Sequence, residues 1–184
     1  MITKSFYYLL SKTYSIFFSY MELIFLNKNR STKTKPIYHL NNVNLNKFNY
    51  YDFEKINKNK YLTKFIFPEE IIYKLIEDLF IKNKLQDRIT ALTGYEYSIN
   101  FFTAYKTYKI LKEDLAKPWY ANQFHIDKPY SKNMLKLFFS FEIIGENDGP
   151  MAVKADKIYN VTLQKDEVAL FLANQYFHRA TSPK

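Results

Sequence analysis

The chain contains no cysteine. Disulfides, thiolate metal sites and thiol catalysis are therefore excluded, and any bound metal has nitrogen and oxygen ligands. The same absence suits a cytoplasmic protein, which is the expected location. Glycine occurs only three times in 184 residues, few for a chain built on turns. There is no P-loop, no dinucleotide-binding glycine pattern and no G-x-S-x-G nucleophile elbow. Arginine is limited to Arg30, Arg88 and Arg179, so the formal charge of +9 comes almost wholly from lysine. Base and phosphate readers draw on bidentate guanidinium contacts. Nucleic acid is thus not expected as a partner, and the charge reads as composition with a weak preference for anionic ligands.

Long apolar runs are also missing. Residues 5–26 are strongly apolar, but Lys12 and Glu22 interrupt them, and Thr13–Met21 is too short to span a bilayer. No small-residue cleavage site follows, so a signal peptide is not expected. Phe6, Leu10, Phe17, Met21 and Ile24 recur at near-helical spacing. They predict a helix packed on the domain, the second reading being a weak membrane association through its apolar face. Asn27 to Lys35 reads as a linker, and the asparagines of 41–46 suit turns. The expected division is an N-terminal helix with an irregular Asn/Lys/Tyr-rich segment over 1–60, then a single domain over 61–184.

What the chain does have is aromatic bulk, 19% Tyr, Phe and Trp, and a change of period near Gly94. Before it, residues 68–93 predict a helix. Pro68 suits the first helical position, Glu69 and Glu70 complement the dipole, and Ile71, Ile72, Leu75, Ile76, Leu79 and Phe80 form an apolar face. A break near Asn83 would split it in two. After Gly94, strands are expected within Tyr95–Tyr108 and over Ala121–Asp127, Met134–Ile144, Met151–Lys154, Glu167–Ala173 and Tyr176–Ala180. Helices followed by many short strands predict an α+β fold with a jelly-roll-like core.

Three histidines are present, His39, His125 and His178. His39 stands alone beside Tyr38 and Leu40 and reads as structural or solvated. His125 forms the pattern His125-Ile126-Asp127. In a strand, residues i and i+2 share a face, so His125 and Asp127 project together, and a later strand can bring His178 beside them. Two imidazoles and one carboxylate make the facial triad of non-heme Fe(II) sites, which leaves coordination positions open. The same ligands also suit zinc.

The flanking segments add to this. FHIDKPYSKNMLKLFFSFEIIGENDGPM carries the H-x-D, a strand and the turn Asn147-Asp148-Gly149-Pro150; FLANQYFHRATSP carries a strand, a short turn and His178-Arg179. Over residues 95–184 the chain resembles the phytanoyl-CoA dioxygenase-like group of Fe(II)/2-oxoglutarate-dependent oxygenases. The resemblance implies a double-stranded β-helix, Fe(II) on His125, Asp127 and His178, 2-oxoglutarate as cosubstrate, and hydroxylation of a small-molecule or lipid-like substrate. It also places an Arg on the strand beyond the distal histidine. None follows Arg179 before Lys184, so the chain departs from the family there, and the last strands of the barrel are not expected within these residues.

Three further residues are candidates for cosubstrate binding. Gln123 lies two before His125 on the same strand face. Lys136 lies opposite the apolar stripe Leu135, Leu137, Phe139, Phe141 and Ile143, where it is either a carboxylate anchor or a solvated strand lysine. Arg179 adjoins the distal histidine. Trp119 and Tyr120 would wall a pocket or pack in the core. From a different class, the chain can be read as a catalytically inactive jelly-roll module that binds a partner or a membrane surface.

Overall fold

A computed structural model of the chain describes residues 35–44, 53–117, 121–127 and 134–184, together with Thr13, Ile16, Phe17 and Met21. Trp119, Tyr120 and most of the apolar stretch 5–26 lie outside the described residues. Thr13, Ile16, Phe17 and Met21 have helical backbone, with Ile16 and Phe17 exposed. Among the described residues no helix is long and apolar enough to cross a membrane.

The fold is mixed α+β and mostly sheet. Nine strands are described: β1 Tyr38–Leu40, β2 Glu54–Asn59, β3 Leu62–Ile66, β4 Ala104–Thr107, β5 Lys136–Phe139, β6 Met151–Lys154, β7 Ile158–Val161, β8 Val168–Phe171 and β9 Phe177–Arg179. They form three antiparallel sheets of three, in the orders β1-β8-β5, β2-β3-β4 and β7-β6-β9. Two α-helices, α1 Glu69–Ile76 and α2 Leu85–Thr93, lie between β3 and β4.

The helical stretch divides where the sequence suggests. Pro68 precedes α1 in an extended conformation, Glu69 and Glu70 occupy the first turn, and Leu75 is buried. A π-helical segment, Glu77–Lys82, continues it. Asp78 is buried there and accepts a hydrogen bond from Lys82 Nζ at 2.7 Å, which keeps the buried carboxylate paired. Asn83 and then Lys84, with φ 48°, turn the chain into α2. Gly94 ends α2 in the left-handed conformation with its N–H on Thr90 O, as a glycine stop does.

The sheet β1-β8-β5 is the centre of the molecule because both of its faces are covered. In β8 the alternation of side chains sends Val168 and Leu170 to one side and Ala169 and Phe171 to the other. Val168 and Leu170 pack with Leu79, Leu85 and Ile89 of the helical layer. Ala169 and Phe171 pack with Val153 and Val161 of the sheet β7-β6-β9. Fully burying side chains of this size contributes about 1.5–3 kcal/mol each. A third cluster, Phe65, Phe67 and Leu75, joins α1 to the sheet β2-β3-β4.

Several boundaries differ from those expected. Tyr95–Tyr108 yields only β4, and Met134–Ile144 only β5, with Ile144 then bridging Leu163. β1 pairs with β8, and residue 60 falls in the turn of the β2–β3 hairpin. β1 is fixed by pairing to a strand distant in sequence, and β2 by its hairpin with β3 although Glu-Lys-Ile-Asn-Lys-Asn shows no clean alternation. The turn at 146–150 is as expected. Asp148 Oδ2 accepts from Gly145 N–H, and Gly149 has φ +75°; a Cβ there would lie 2.8 Å from Pro183. Only glycine fits a positive φ this close to another backbone.

Candidate metal centre

Two segments build the site. Backbone hydrogen bonds join His125 and His178 in both directions, N–H of each to O of the other, at 3.0 and 2.9 Å. This is an isolated bridge rather than the strand expected over Ala121–Asp127. Ala121, with φ 52°, turns the chain just before it, and Asp127 N–H departs to Ala173 O. The pairing therefore lasts one residue, long enough to set the imidazoles side by side with ring centroids 4.4 Å apart. β9 in turn pairs with β6, Val153 opposite His178, and His178 is the buried residue of this strand, 3% exposed.

The side chains of His125, Asp127 and His178 offer one ligand atom each, all within 4.8 Å of one another, and this group could hold a metal ion. Asp127 Oδ1 lies 3.7 Å from His125 Nε2 and 3.5 Å from His178 Nε2. Ligands at right angles around an ion with bonds near 2.1 Å are about 3.0 Å apart, so the ligand atoms would have to draw together to close on an ion.

The rings are oriented for it. His125 Nδ1 lies 2.9 Å from Gln123 O, and His178 Nδ1 lies 3.2 Å from Tyr176 O. A carbonyl only accepts, so each Nδ1 carries the proton. In a neutral ring Nε2 then bears the lone pair, and both Nε2 atoms face Asp127. The two histidines use the same device, a carbonyl two residues upstream, which is the outer-shell support that metal-binding imidazoles require. Phe171 packs edge-on against His178, with centroids 5.2 Å apart, and holds the buried ring from the core side.

Lys136 reaches the site from β5. Its Nζ is 2.5 Å from Asp127 Oδ2 and 3.5 Å from His178 Nε2, and it lies over the Phe171 ring. Burial pushes the Asp127 carboxyl up, but the neighbouring His178 and Lys136 outweigh it and hold the group well below the usual carboxylate range. Lys136 is therefore not a solvated strand lysine. The sequence could not show this, because the register of β5 on β8, Lys136 opposite Phe171, decides which side chain meets Asp127.

The other candidates do not meet at the site. Gln123 is exposed and contributes only its carbonyl. Arg179 alternates with His178 along β9 and stacks over Phe124 at 4.6 Å from the ring centre, with its buried Nε making no hydrogen bond. His39 pairs with Glu167 at 2.8 Å and is not part of the triad.

The three ligands and Lys136 border a cavity of about 1420 Å³ whose other walls include Phe65, Phe102, Tyr105, Leu137 and Phe139. Residues of β4 and β5 both line it. Among the described strands β4 pairs only with β3, and β5 only with β8. Comparison of the chain with family models, with curated proteins and with solved structures found no match in any of the three.

Proposed function

We propose that the protein is an Fe(II)/2-oxoglutarate-dependent dioxygenase whose metal ligands are His125, Asp127 and His178. The observation that carries this reading is the convergence of two Nε2 lone pairs and Asp127 Oδ1 on one point at the wall of a large cavity. Three ligands on one side leave positions for a chelating cosubstrate and for oxygen, the arrangement of two-histidine, one-carboxylate iron sites. Only nitrogen and oxygen donors are present, and they suit Fe(II). A double-stranded β-helix is the scaffold we infer, supported by the antiparallel order in which the His125 segment adjoins β9, β9 adjoins β6 and β6 adjoins β7.

When bound, Fe(II) with 2-oxoglutarate would activate O₂, the oxidant, for hydroxylating an unactivated C–H bond. The chain's own residues do the rest. Gln123 O and Tyr176 O fix the imidazole tautomers. His178 and Phe171 keep one side of the centre dry. Lys106 and Lys136 are the cationic side chains on the cavity wall and would attract an anionic cosubstrate. The aromatic lining would take up an apolar small-molecule or lipid-like substrate.

Anaerobic protein given Fe(II) and 2-oxoglutarate is expected to develop the weak visible charge-transfer band of the chelate, and His125→Ala to lose it. No band in the wild type, or the same band in the variant, rules the reading out.

A further inference from the structure

We infer that Lys136 is a built-in competitor for the metal: its ammonium holds the place of the cation in the metal-free protein and gives it up when the ion binds. The inference rests on the metal-centre reading above. Lys136 Nζ touches two of the three ligand residues, Asp127 Oδ2 at 2.5 Å and His178 Nε2 at 3.5 Å. An ammonium has donors only, so His178 Nε2 accepts, and the lone pair it uses is the one a metal would need. Nε2 has a single lone pair, so the two occupants exclude each other at that atom.

Charge leads to the same exclusion. A divalent ion between Asp127 and His178 would lie within a few ångströms of Nζ, in a site where His178 is almost fully buried. Repulsion between like charges is strong at that separation. In the metal-free protein, by contrast, Lys136 neutralises a carboxylate that would otherwise stand unpaired between two imidazoles. Its stem is guided there by β5 pairing with β8 and by the Phe171 ring beneath Nζ. The ammonium thus keeps the ligand residues close to their coordinating positions and lowers the net affinity for the ion. Metal loading becomes an exchange of one cation for another. The displaced ammonium, tethered at the cavity wall, is then free for an anionic ligand.

The test is a titration of the metal-free full chain with Co(II), read by its visible absorption. Lys136→Met keeps the stem and removes the charge. It is expected to bind Co(II) about tenfold more tightly than wild type, or better. Lys106→Met removes another cation from the same cavity wall, one paired with Glu142 at 4.0 Å, and is expected to change affinity less than about threefold. In the wild type, Co(II) is also expected to raise the labelling of Lys136 by an amine reagent, measured on the peptide by mass spectrometry, which needs no variant to fold. Equal or weaker binding by Lys136→Met, an equal gain in Lys106→Met, or labelling unchanged by Co(II) would overturn the competitor role while leaving the metal centre standing. No Co(II) binding by wild type and Lys136→Met alike would remove the metal centre itself.

Discussion

Asp127 and Asp114 are two carboxylates in similar electrostatic circumstances. Each is surrounded by cationic or hydrogen-bond-donating partners, and each is held well below the usual carboxylate range. Asp114 owes this to Lys117, then to Lys60 and Tyr61. It is 5% exposed and sits in a short helical turn, Lys112–Asp114, which it ties to the β2–β3 turn through Lys60 and Tyr61. Lys117, Lys60 and the Tyr61 hydroxyl all turn donors to it. Asp127 has a lysine as well, but its other neighbours are imidazoles whose Nδ1 protons are already committed, leaving Nε2 lone pairs turned inward. Asp127 also opens on a cavity, and Asp114 does not line it. Charge pairing and a lowered pKa are therefore common to a staple and a candidate site. What separates them is the presence of additional lone pairs and of room for a ligand.

Exchanging one carboxylate at a time gives the largest effects and the most direct way to break the comparison. Asp127→Asn is expected to weaken Co(II) binding more than about a hundredfold, beyond what loss of outer-shell support alone costs, with little change in thermal midpoint. Asp114→Asn is expected to do the reverse, lowering the midpoint by several degrees and leaving Co(II) affinity alone, since it leaves the donors of Lys60, Tyr61 and Lys117 facing a neutral amide. Parallel melts and titrations of both variants check this. A metal defect in Asp114→Asn would show that the two clusters are not separate.

A smaller effect sharpens the staple side of the contrast through pH. The Asp114 carboxyl is lowered in the folded state from an ordinary value of 3.8. A group lowered on folding contributes stability that is complete above its unfolded pKa and is lost as pH falls toward its folded one. The gap in urea midpoint between wild type and Asp114→Asn is therefore expected to hold steady from about pH 7 to 5 and to narrow below about pH 4. A gap that widened in acid would contradict the assigned role.

How much of this was legible in the sequence depended on residue rarity. With three histidines in the chain, His125 and His178 stood out, and Asp127 followed from its spacing. A continuous strand was expected, yet one bridge and the turn at Ala121 do the work. The helical stretch was readable because it carries both a start signal at Pro68 and a stop at Gly94. β1 and β2 were not, since Tyr-His-Leu is too short to show a period and Glu-Lys-Ile-Asn-Lys-Asn lacks the apolar alternation of a half-buried strand. Lys136 and Lys60 were equally opaque. One lysine among many gains its partner only through strand register or a hairpin turn, and neither is written in local composition.

Gln123 gives the smallest expected effect and tests how the site is supported. From the sequence it shares a strand face with His125 and would point its amide at the metal or cosubstrate. In the structure its side chain is exposed and absent from the cavity wall, and only its carbonyl oxygen serves, 2.9 Å from His125 Nδ1. The matching carbonyl behind His178 belongs to Tyr176, a quite different side chain, which is what support by backbone alone predicts. Gln123→Ala is therefore expected to bind Co(II) within about twofold of wild type, well short of the tenfold or greater loss that follows removal of a true outer-shell partner. Gln123→Pro constrains the backbone that presents the same carbonyl and is expected to weaken binding where the alanine does not. A tenfold loss in Gln123→Ala would return the amide to the site and make the symmetry between the two histidines accidental.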